Sequence, residues 1–220
     1  MRKFLATIAA LTLSAPAMAD PHIERWKTPH SMGCMLLQEC TEGVVEVKNI
    51  DSIQSAYPDI PYTLVKPEFN ALIFELNRIG VGVYLADGKY FPPGHRGVYH
   101  TTENNFFLNV DYMWDPQVLL EVSRHEGWHA AQDCMAGTID NNSIAIIHHD
   151  HVIPDKYTLR AEIAYASNPA VIPWETEAIW AGEEPYATVN ALSACQAKDA
   201  MWDLYPPTPM TSEWLIKNGF

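Results

Sequence analysis

The chain has 220 residues, a formal net charge of −13 and a hydrophobic content of 48%. A chain of this length can bury one substantial core, so we expect one folded domain over residues 20–220. The negative charge argues against nucleic acid and anionic membranes as partners, because both would repel an acidic surface. Composition alone points to no particular substrate.

Residues 1–19 have the pattern of a secretory signal peptide. Arg2 and Lys3 precede an apolar run over residues 4–13, and Ala17-Met18-Ala19 supplies the small side chains that a signal peptidase accepts. The run is too short for a stable membrane anchor, and no later segment reaches the roughly 18–20 apolar residues of a membrane helix. We therefore expect an exported protein, periplasmic or extracellular, without a membrane anchor.

The spacing of apolar residues predicts an α+β fold, in which a small mixed or antiparallel sheet packs on one long helix and further helices follow. Residues 20–33 show no period and predict an extended segment, and the prolines of 206–209 predict that regular structure ends there. In chain order, we predict a strand within residues 40–50, a helix at 67–79, strands at 81–86, 98–102 and 105–110, a helix at 116–135 that ends at Gly137, and helices at 154–166, 173–182 and 186–198.

All four cysteines lie beyond residue 19. An even number of cysteines in an exported chain predicts two disulfides, for which three pairings are possible. We favour Cys34–Cys40 as a local clip and Cys134–Cys195 as a link between the long helix and a later one. A zinc–thiolate site is disfavoured because the cysteines lack Cys-x-x-Cys spacing.

The helix predicted over 116–135 contains the sequence His125-Glu126-Gly127-Trp128-His129. Residues four apart lie on one face of a helix, so both histidines can bind a single ion, for which we expect zinc. Glu126 is rotated by about 100° from the first histidine, which places its carboxylate beside the metal. There it can take a proton from a metal-bound water. The alternative is a histidine pair with a purely structural role.

Two histidines do not complete a hydrolytic zinc site, which needs a third protein ligand. We favour Glu177, because it shares one face of its predicted helix with Trp174 and Ala178. A carboxylate buried among such neighbours is costly unless it is paired or bound to a metal. Glu175 on the same helix is the competing candidate, and Glu162 is the third.

With these residues, the chain resembles the zincin metallopeptidases, in particular the subgroup whose third ligand is a glutamate on a following helix. The matching positions are His125, Glu126, His129 and Glu177; the glycine and third histidine of the metzincin pattern are missing. The resemblance implies a single zincin-like domain and a secreted zinc peptidase acting on peptides or proteins. Zinc would polarise the scissile carbonyl, and Glu126 would act as the general base. The peptide would add along one edge of the sheet.

Several roles stay open at this point. The group that stabilises the oxyanion could be Tyr165, Tyr186, His149 or His151. The histidine-rich segment 148–151 could form a second metal site, supply an acid group or be a polar loop. A different class of function is also possible, in which the chain has a zincin fold but acts as a secreted binding module with a weak or inactive site.

Overall fold

The computed structural model describes residues 29–137, 139, 142–149, 152–197 and 200–219. The predicted signal peptide, residues 1–19, lies outside this set. Within it the chain is α+β, as predicted, with a small mixed sheet. The helices are α1 (Pro29–Leu36), α2 (Ile50–Ala56), α3 (Lys66–Arg78), α4 (Pro116–Met135), α5 (Asp155–Ala164), α6 (Ile172–Glu183), α7 (Ala187–Cys195), α8 (Met201–Leu204) and α9 (Ser212–Lys217), and the strands are β1 (Val44–Glu46), β2 (Gly82–Ala86), β3 (Gly97–His100) and β4 (Asn105–Asn109).

None of the helices in the described part of the chain combines the length and the apolar character that a membrane span requires.

The four strands form a sheet in the order β1-β2-β4-β3. β1 and β3 run antiparallel to their neighbours, whereas β2 and β4 are parallel. β3 is therefore an edge strand, and it contacts α4, as does its neighbour β4. This arrangement brings one edge of the sheet next to the helix that carries the histidines.

Apolar residues alternate between the two faces of the sheet, as the pleat of a strand requires. Val83 and Phe106 face the main core, which the sheet shares with α3, α4, α6 and α7. Tyr84 and Phe107 face the other side, where Met35 of α1 packs on them in a smaller cluster. Both faces of the sheet are thus covered.

The predicted bounds of α4 are confirmed. Asp115 caps its first turn, with its carboxylate accepting hydrogen bonds from the backbone N–H groups of Gln117 at 2.8 Å and Val118 at 3.3 Å. The helix ends just before Gly137, whose φ of 131° is costly for other residues. Local signals of the sequence therefore determine both ends of the central helix.

Two glycines allow other helices to approach α4 closely. A Cβ at Gly127 would lie 3.0 Å from Cγ2 of Thr188 on α7. A Cβ at Gly182 of α6 would lie 3.3 Å from the carbonyl oxygen of Glu121. Both contacts are tighter than ordinary packing distances, so larger residues would push α6 and α7 away from α4.

A buried ion pair joins the same helices. Arg124 of α4 donates two hydrogen bonds to the carboxylate of Glu68 on α3, at 2.7 Å and 2.6 Å. The backbone N–H of Tyr186 donates to Glu68 at 2.6 Å, and Arg124 also donates to the carbonyl of Gly182 at 3.3 Å. A buried pair with this many partners fixes how α3, α6 and α7 lie against α4.

Two predictions for the termini were wrong. Part of the segment predicted as extended is the helix α1, and the tail predicted to be irregular contains α9. Isolated helices of this length are marginal in water, so their sequences carry little local signal. α1 is held by tertiary contacts instead, since Met35 is buried against Tyr90 and Phe91.

The favoured cysteine pairing is confirmed. Cys34 and Cys40 form a disulfide with a Cα–Cα distance of 5.2 Å, and Cys134 and Cys195 form one with a Cα–Cα distance of 6.3 Å. The second disulfide joins the end of α4 to the end of α7. Because disulfides persist in oxidising compartments, the two bonds suggest a non-cytoplasmic protein.

Candidate metal centre

Three side chains from two helices converge at the surface of α4. Among the described residues, His125, His129 and Glu175 form a group whose possible ligand atoms all lie within 4.8 Å of one another. Nε2 of His125 is 3.3 Å from Oε2 of Glu175, and Nε2 of His129 is 3.6 Å from Oε1 of the same residue. The two histidines lie on one face of α4, as their four-residue spacing predicts.

The geometry of the group fits a metal ion. Ligand atoms placed about 2.0–2.1 Å from a tetrahedral ion are roughly 3.4 Å apart. Each histidine lies at a similar separation from one oxygen of Glu175, His125 from Oε2 and His129 from Oε1. Oε2 of Glu175 is buried and has no hydrogen-bond partner among the residues that the structure describes. A buried carboxylate oxygen in that position is costly unless a cation lies beside it. The group could therefore hold a metal ion.

Without a metal, the three side chains form a charged cluster. Burial lowers the pKa of His129, but the polar contact with Glu175 and the negative charges of Glu175 and Glu126 outweigh it and raise the pKa to about 9. Burial raises the pKa of Glu175, yet its contacts with the two histidines hold that pKa well below its usual range. A metal ion that binds His129 would have to displace the proton that this raised pKa keeps on its ring.

Glu177, the favoured third ligand in the sequence, lies outside the group. Its side chain does face inward, with only 2% of the residue exposed. Burial raises the pKa of Glu177, and the hydrogen bonds that its carboxylate accepts act in the opposite direction. The donors are the backbone N–H of Ile147 at 3.0 Å, the backbone N–H of His148 at 2.6 Å, Nε2 of Gln132 at 2.8 Å and Nε1 of Trp128 at 3.2 Å.

The structure therefore brings Glu175, and not the favoured Glu177, to the two histidines. Residues two apart on a helix point about 200° away from each other, so one rotation of α6 cannot direct both carboxylates to the histidines. The face with Glu177 turns into the core, where Ala178 and Ala181 are fully buried. Inward orientation was predicted correctly, but it leads to hydrogen-bond donors and not to the metal group. Glu162, the remaining candidate, is exposed on α5.

Glu126 lies between the histidines and the sheet. Its Oε2 accepts a hydrogen bond of 3.0 Å from the backbone N–H of Tyr99, on the edge strand β3. The close approach depends on Gly97, since a Cβ there would lie 3.0 Å from Cγ of Glu126 and 2.7 Å from Cγ1 of Val122. The charge of Glu126 also acts on His129 and Tyr165. Glu126 therefore lies beside the group, as its place in the motif predicts.

Tyr165 is the oxyanion candidate that the structure brings to the group. Burial and the charge and polar contact of Glu175 raise the pKa of Tyr165 well above its usual range, so its hydroxyl stays protonated. Tyr186 lies instead at the start of α7, on the side of Glu68. His149 is exposed, and His151 falls outside the described residues.

His148 belongs to an aromatic cluster and not to the metal group. Its ring stacks on Trp128 with a centroid distance of 5.6 Å and meets Trp180 edge-on at 5.0 Å. Burial, together with the neighbouring His149, lowers the pKa of His148 to about 4. The ring is therefore neutral at physiological pH and packs as an aromatic side chain.

Gln132 is a site residue that the sequence analysis missed. Its Oε1 lies 2.8 Å from Nδ1 of His129, on the side of the ring away from Glu175. The signal was present, because residues three apart are neighbours on a helix and Gln132 follows His129 at that spacing.

Comparisons of the chain with models of protein families, with curated proteins and with solved structures find no match.

Proposed function

We propose that this protein is a secreted zinc-dependent peptidase whose metal ligands are His125, His129 and Glu175. The observation that carries the proposal is the convergence of two imidazoles and one carboxylate beside Glu126. Two histidines and one carboxylate are the ligand set of a well-known class of catalytic zinc sites, in which the fourth position is open. Zinc in this position would polarise the scissile carbonyl and make a water molecule nucleophilic near neutral pH.

Glu126 is the general base in this proposal. Its carboxylate takes a proton from the attacking water and passes it to the amine of the leaving peptide. The hydrogen bond from the backbone N–H of Tyr99 keeps the carboxylate in place at Oε2. Among the described residues no hydrogen bond involves Oε1, so that oxygen is the one we assign to proton transfer.

Tyr165 supplies the oxyanion donor. Its hydroxyl lies close enough to Glu175 for the charge of that carboxylate to raise the pKa of Tyr165. A hydroxyl that stays protonated can donate a hydrogen bond to the oxygen on which negative charge develops. Tyr165→Phe should lower kcat more than it raises KM, because the lost hydrogen bond would form mainly in the transition state.

The substrate class follows from the edge strand. Within the described residues β3 pairs with β4 on one side only, and its other side, where Tyr99 already donates to Glu126, lies next to the metal centre. An extended peptide can pair with such an edge, which would lay its backbone across the histidines. We therefore propose peptides or proteins as substrates.

The test is a combined measurement of metal content and cleavage. The mature protein should be purified, analysed for bound metal, and assayed on a peptide library with and without a chelator. We expect bound zinc and chelator-sensitive cleavage. Glu126→Gln should keep the zinc and lose turnover, while Glu162→Gln, at an exposed position, should retain both. Cleavage by the Glu126→Gln variant would contradict this mechanism.

The second candidate is a secreted binding module that uses the same metal group without catalysis. The hydrogen bond between Glu126 and Tyr99 favours it, since a carboxylate engaged by the sheet can also have a structural role. Bound zinc without chelator-sensitive cleavage would favour the binding module over the peptidase.

A further inference from the structure

The two ring nitrogens of His129 face different partners. Nε2 is directed towards Glu175 at 3.6 Å, and Nδ1 lies 2.8 Å from Oε1 of Gln132. A histidine that binds a metal through Nε2 must present a lone pair there, so its proton must be on Nδ1. An acceptor at Nδ1 therefore selects the tautomer that binds a metal.

The amide of Gln132 can offer that acceptor in one orientation only. Its Nε2 lies 2.8 Å from Oε2 of Glu177 and 3.3 Å from the carbonyl oxygen of Trp174. A backbone carbonyl never donates, so turning the amide over would place Oε1 against two acceptors. Gln132 is fully buried, so water cannot compensate for the lost hydrogen bonds. The network thus assigns Oε1 to the side of His129.

Backbone hydrogen bonds in turn fix the carboxylate of Glu177. The backbone N–H groups of Ile147 and His148 donate to its carboxylate at 3.0 Å and 2.6 Å. Both are fixed donors of the main chain, so the carboxylate must present an acceptor to Gln132. A continuous chain of hydrogen bonds then runs from the 147–148 loop through Glu177 and Gln132 to His129.

We infer that Gln132 is a positioning residue that keeps the proton of His129 on Nδ1 and so directs Nε2 to the metal, with Glu177 and the Trp174 carbonyl setting the orientation of the Gln132 amide. The inference rests on the metal centre of the proposed function but does not depend on peptidase activity. It also gives Glu177 a role at the site, through Gln132 and not as a ligand.

The first test is the zinc affinity of Gln132→Leu, measured by competition with a chelating dye. Supporting residues of this kind typically contribute about 10–100-fold to metal affinity, and we expect a loss in that range. The matched control is Thr176→Val on the same helix as Glu177, which changes a buried hydroxyl that has no hydrogen-bond partner within the described part of the chain. An affinity of Gln132→Leu within about twofold of the control would overturn the inference. Gln132→Met is the replacement if the leucine variant does not fold.

The second test observes the proton itself, by NMR of the protein with ¹⁵N-labelled histidine. We expect the Nδ1 proton of His129 to exchange slowly with water in the wild type and in Thr176→Val, and rapidly in Gln132→Leu. This holds with or without zinc. If the wild type binds no zinc, the proposed function fails, and the exchange of the Nδ1 proton still decides whether Gln132 holds it. A rapidly exchanging Nδ1 proton in the wild type would refute the role of Gln132.

A double-mutant cycle separates Glu177 from a direct metal ligand. Glu177→Gln should weaken zinc binding when Gln132 is present. The NH₂ group of the new side chain would face the N–H groups that donate to Glu177, and it cannot accept their hydrogen bonds. In the Gln132→Leu background the same substitution should cause no further loss. Losses that simply add would mean that Glu177 acts independently of Gln132.

Discussion

Glu175 and Glu177 are two residues apart on α6, and their carboxylates contact different groups. Glu175 faces two imidazoles, whereas Glu177 accepts hydrogen bonds from four donors. Replacing Glu175 with Gln keeps the shape of the side chain and removes the negative charge. Loss of a residue that supports a ligand typically lowers metal affinity by about 10–100-fold. We expect zinc affinity to fall by more than this, because the substitution removes a proposed ligand itself. Isothermal titration with zinc checks this, with Glu162→Gln as the control; equal affinities of the two variants would contradict the assignment.

His148 should make stability depend on pH. An ordinary histidine has a pKa near 6.5, whereas that of folded His148 is lowered to about 4. Between these values the unfolded chain binds a proton that the folded protein does not, so stability is lost as pH falls from about 6.5 to 4.

His148→Phe should remove this dependence, because phenylalanine fits among Trp128, Trp180 and Tyr205 and no described residue forms a hydrogen bond with the replaced Nε2. Allowing for partial exposure, we expect the variant to gain roughly 1–2 kcal/mol over the wild type between pH 7.5 and pH 5. Urea unfolding at both values measures the gain. The exposed His95→Phe serves as the control, and parallel pH profiles of the wild type and His148→Phe would refute the prediction.

At the scale of elements, the contact between α4 and β3 depends on Gly97. A Cβ at this position would lie 2.7 Å from Val122 and 3.0 Å from Glu126, and 3.3 Å from the carbonyl oxygen of Phe107. Gly97→Ala should therefore lower the free energy of unfolding by about 1–3 kcal/mol and displace Glu126 from Tyr99.

Chemical denaturation and the amide exchange rate of Tyr99 test the two effects separately. Gly33→Ala is the matched control, since a Cβ there meets nothing within 4 Å and the position lies inside α1. It should be neutral or raise stability by about 0.5–1 kcal/mol. A Gly97→Ala variant as stable as the wild type, with unchanged exchange at Tyr99, would show that the contact tolerates a side chain.

The predictability of each element followed from where its signals lie. The ends of α4 could be predicted because Asp115 and Gly137, which mark them, are close to the helix in the sequence. The choice between Glu175 and Glu177 could not be made, since the rotation of α6 is set by residues far away in the chain. Gly182 of α6 packs against the backbone of α4 at Glu121, and the backbone N–H groups of Ile147 and His148 donate hydrogen bonds to Glu177. Hydrophobic periodicity indicates which face of a helix is buried. It does not indicate whether a carboxylate on that face contacts hydrogen-bond donors or the other residues of a metal site.

For the whole molecule, the disulfide between Cys134 and Cys195 should contribute much more stability than the local clip. It closes a separation of 61 residues, which in the chain-entropy treatment corresponds to about 4 kcal/mol. The Cys34–Cys40 bond closes a separation of 6 residues and corresponds to about 2 kcal/mol. Unfolding in guanidinium of the two double Cys→Ala variants compares them, and equal losses would contradict the ordering.

The same disulfide should also limit the damage that proteolytic cleavage causes. The chain between Cys134 and Cys195 includes α5, α6 and Glu175, the proposed third ligand, while both histidines precede the first cysteine. A single cut anywhere in that stretch leaves two pieces that stay covalently attached. The helix with Glu175 would then remain tethered to the helix with His125 and His129, and a nicked molecule would keep the three proposed ligands on one covalently linked molecule.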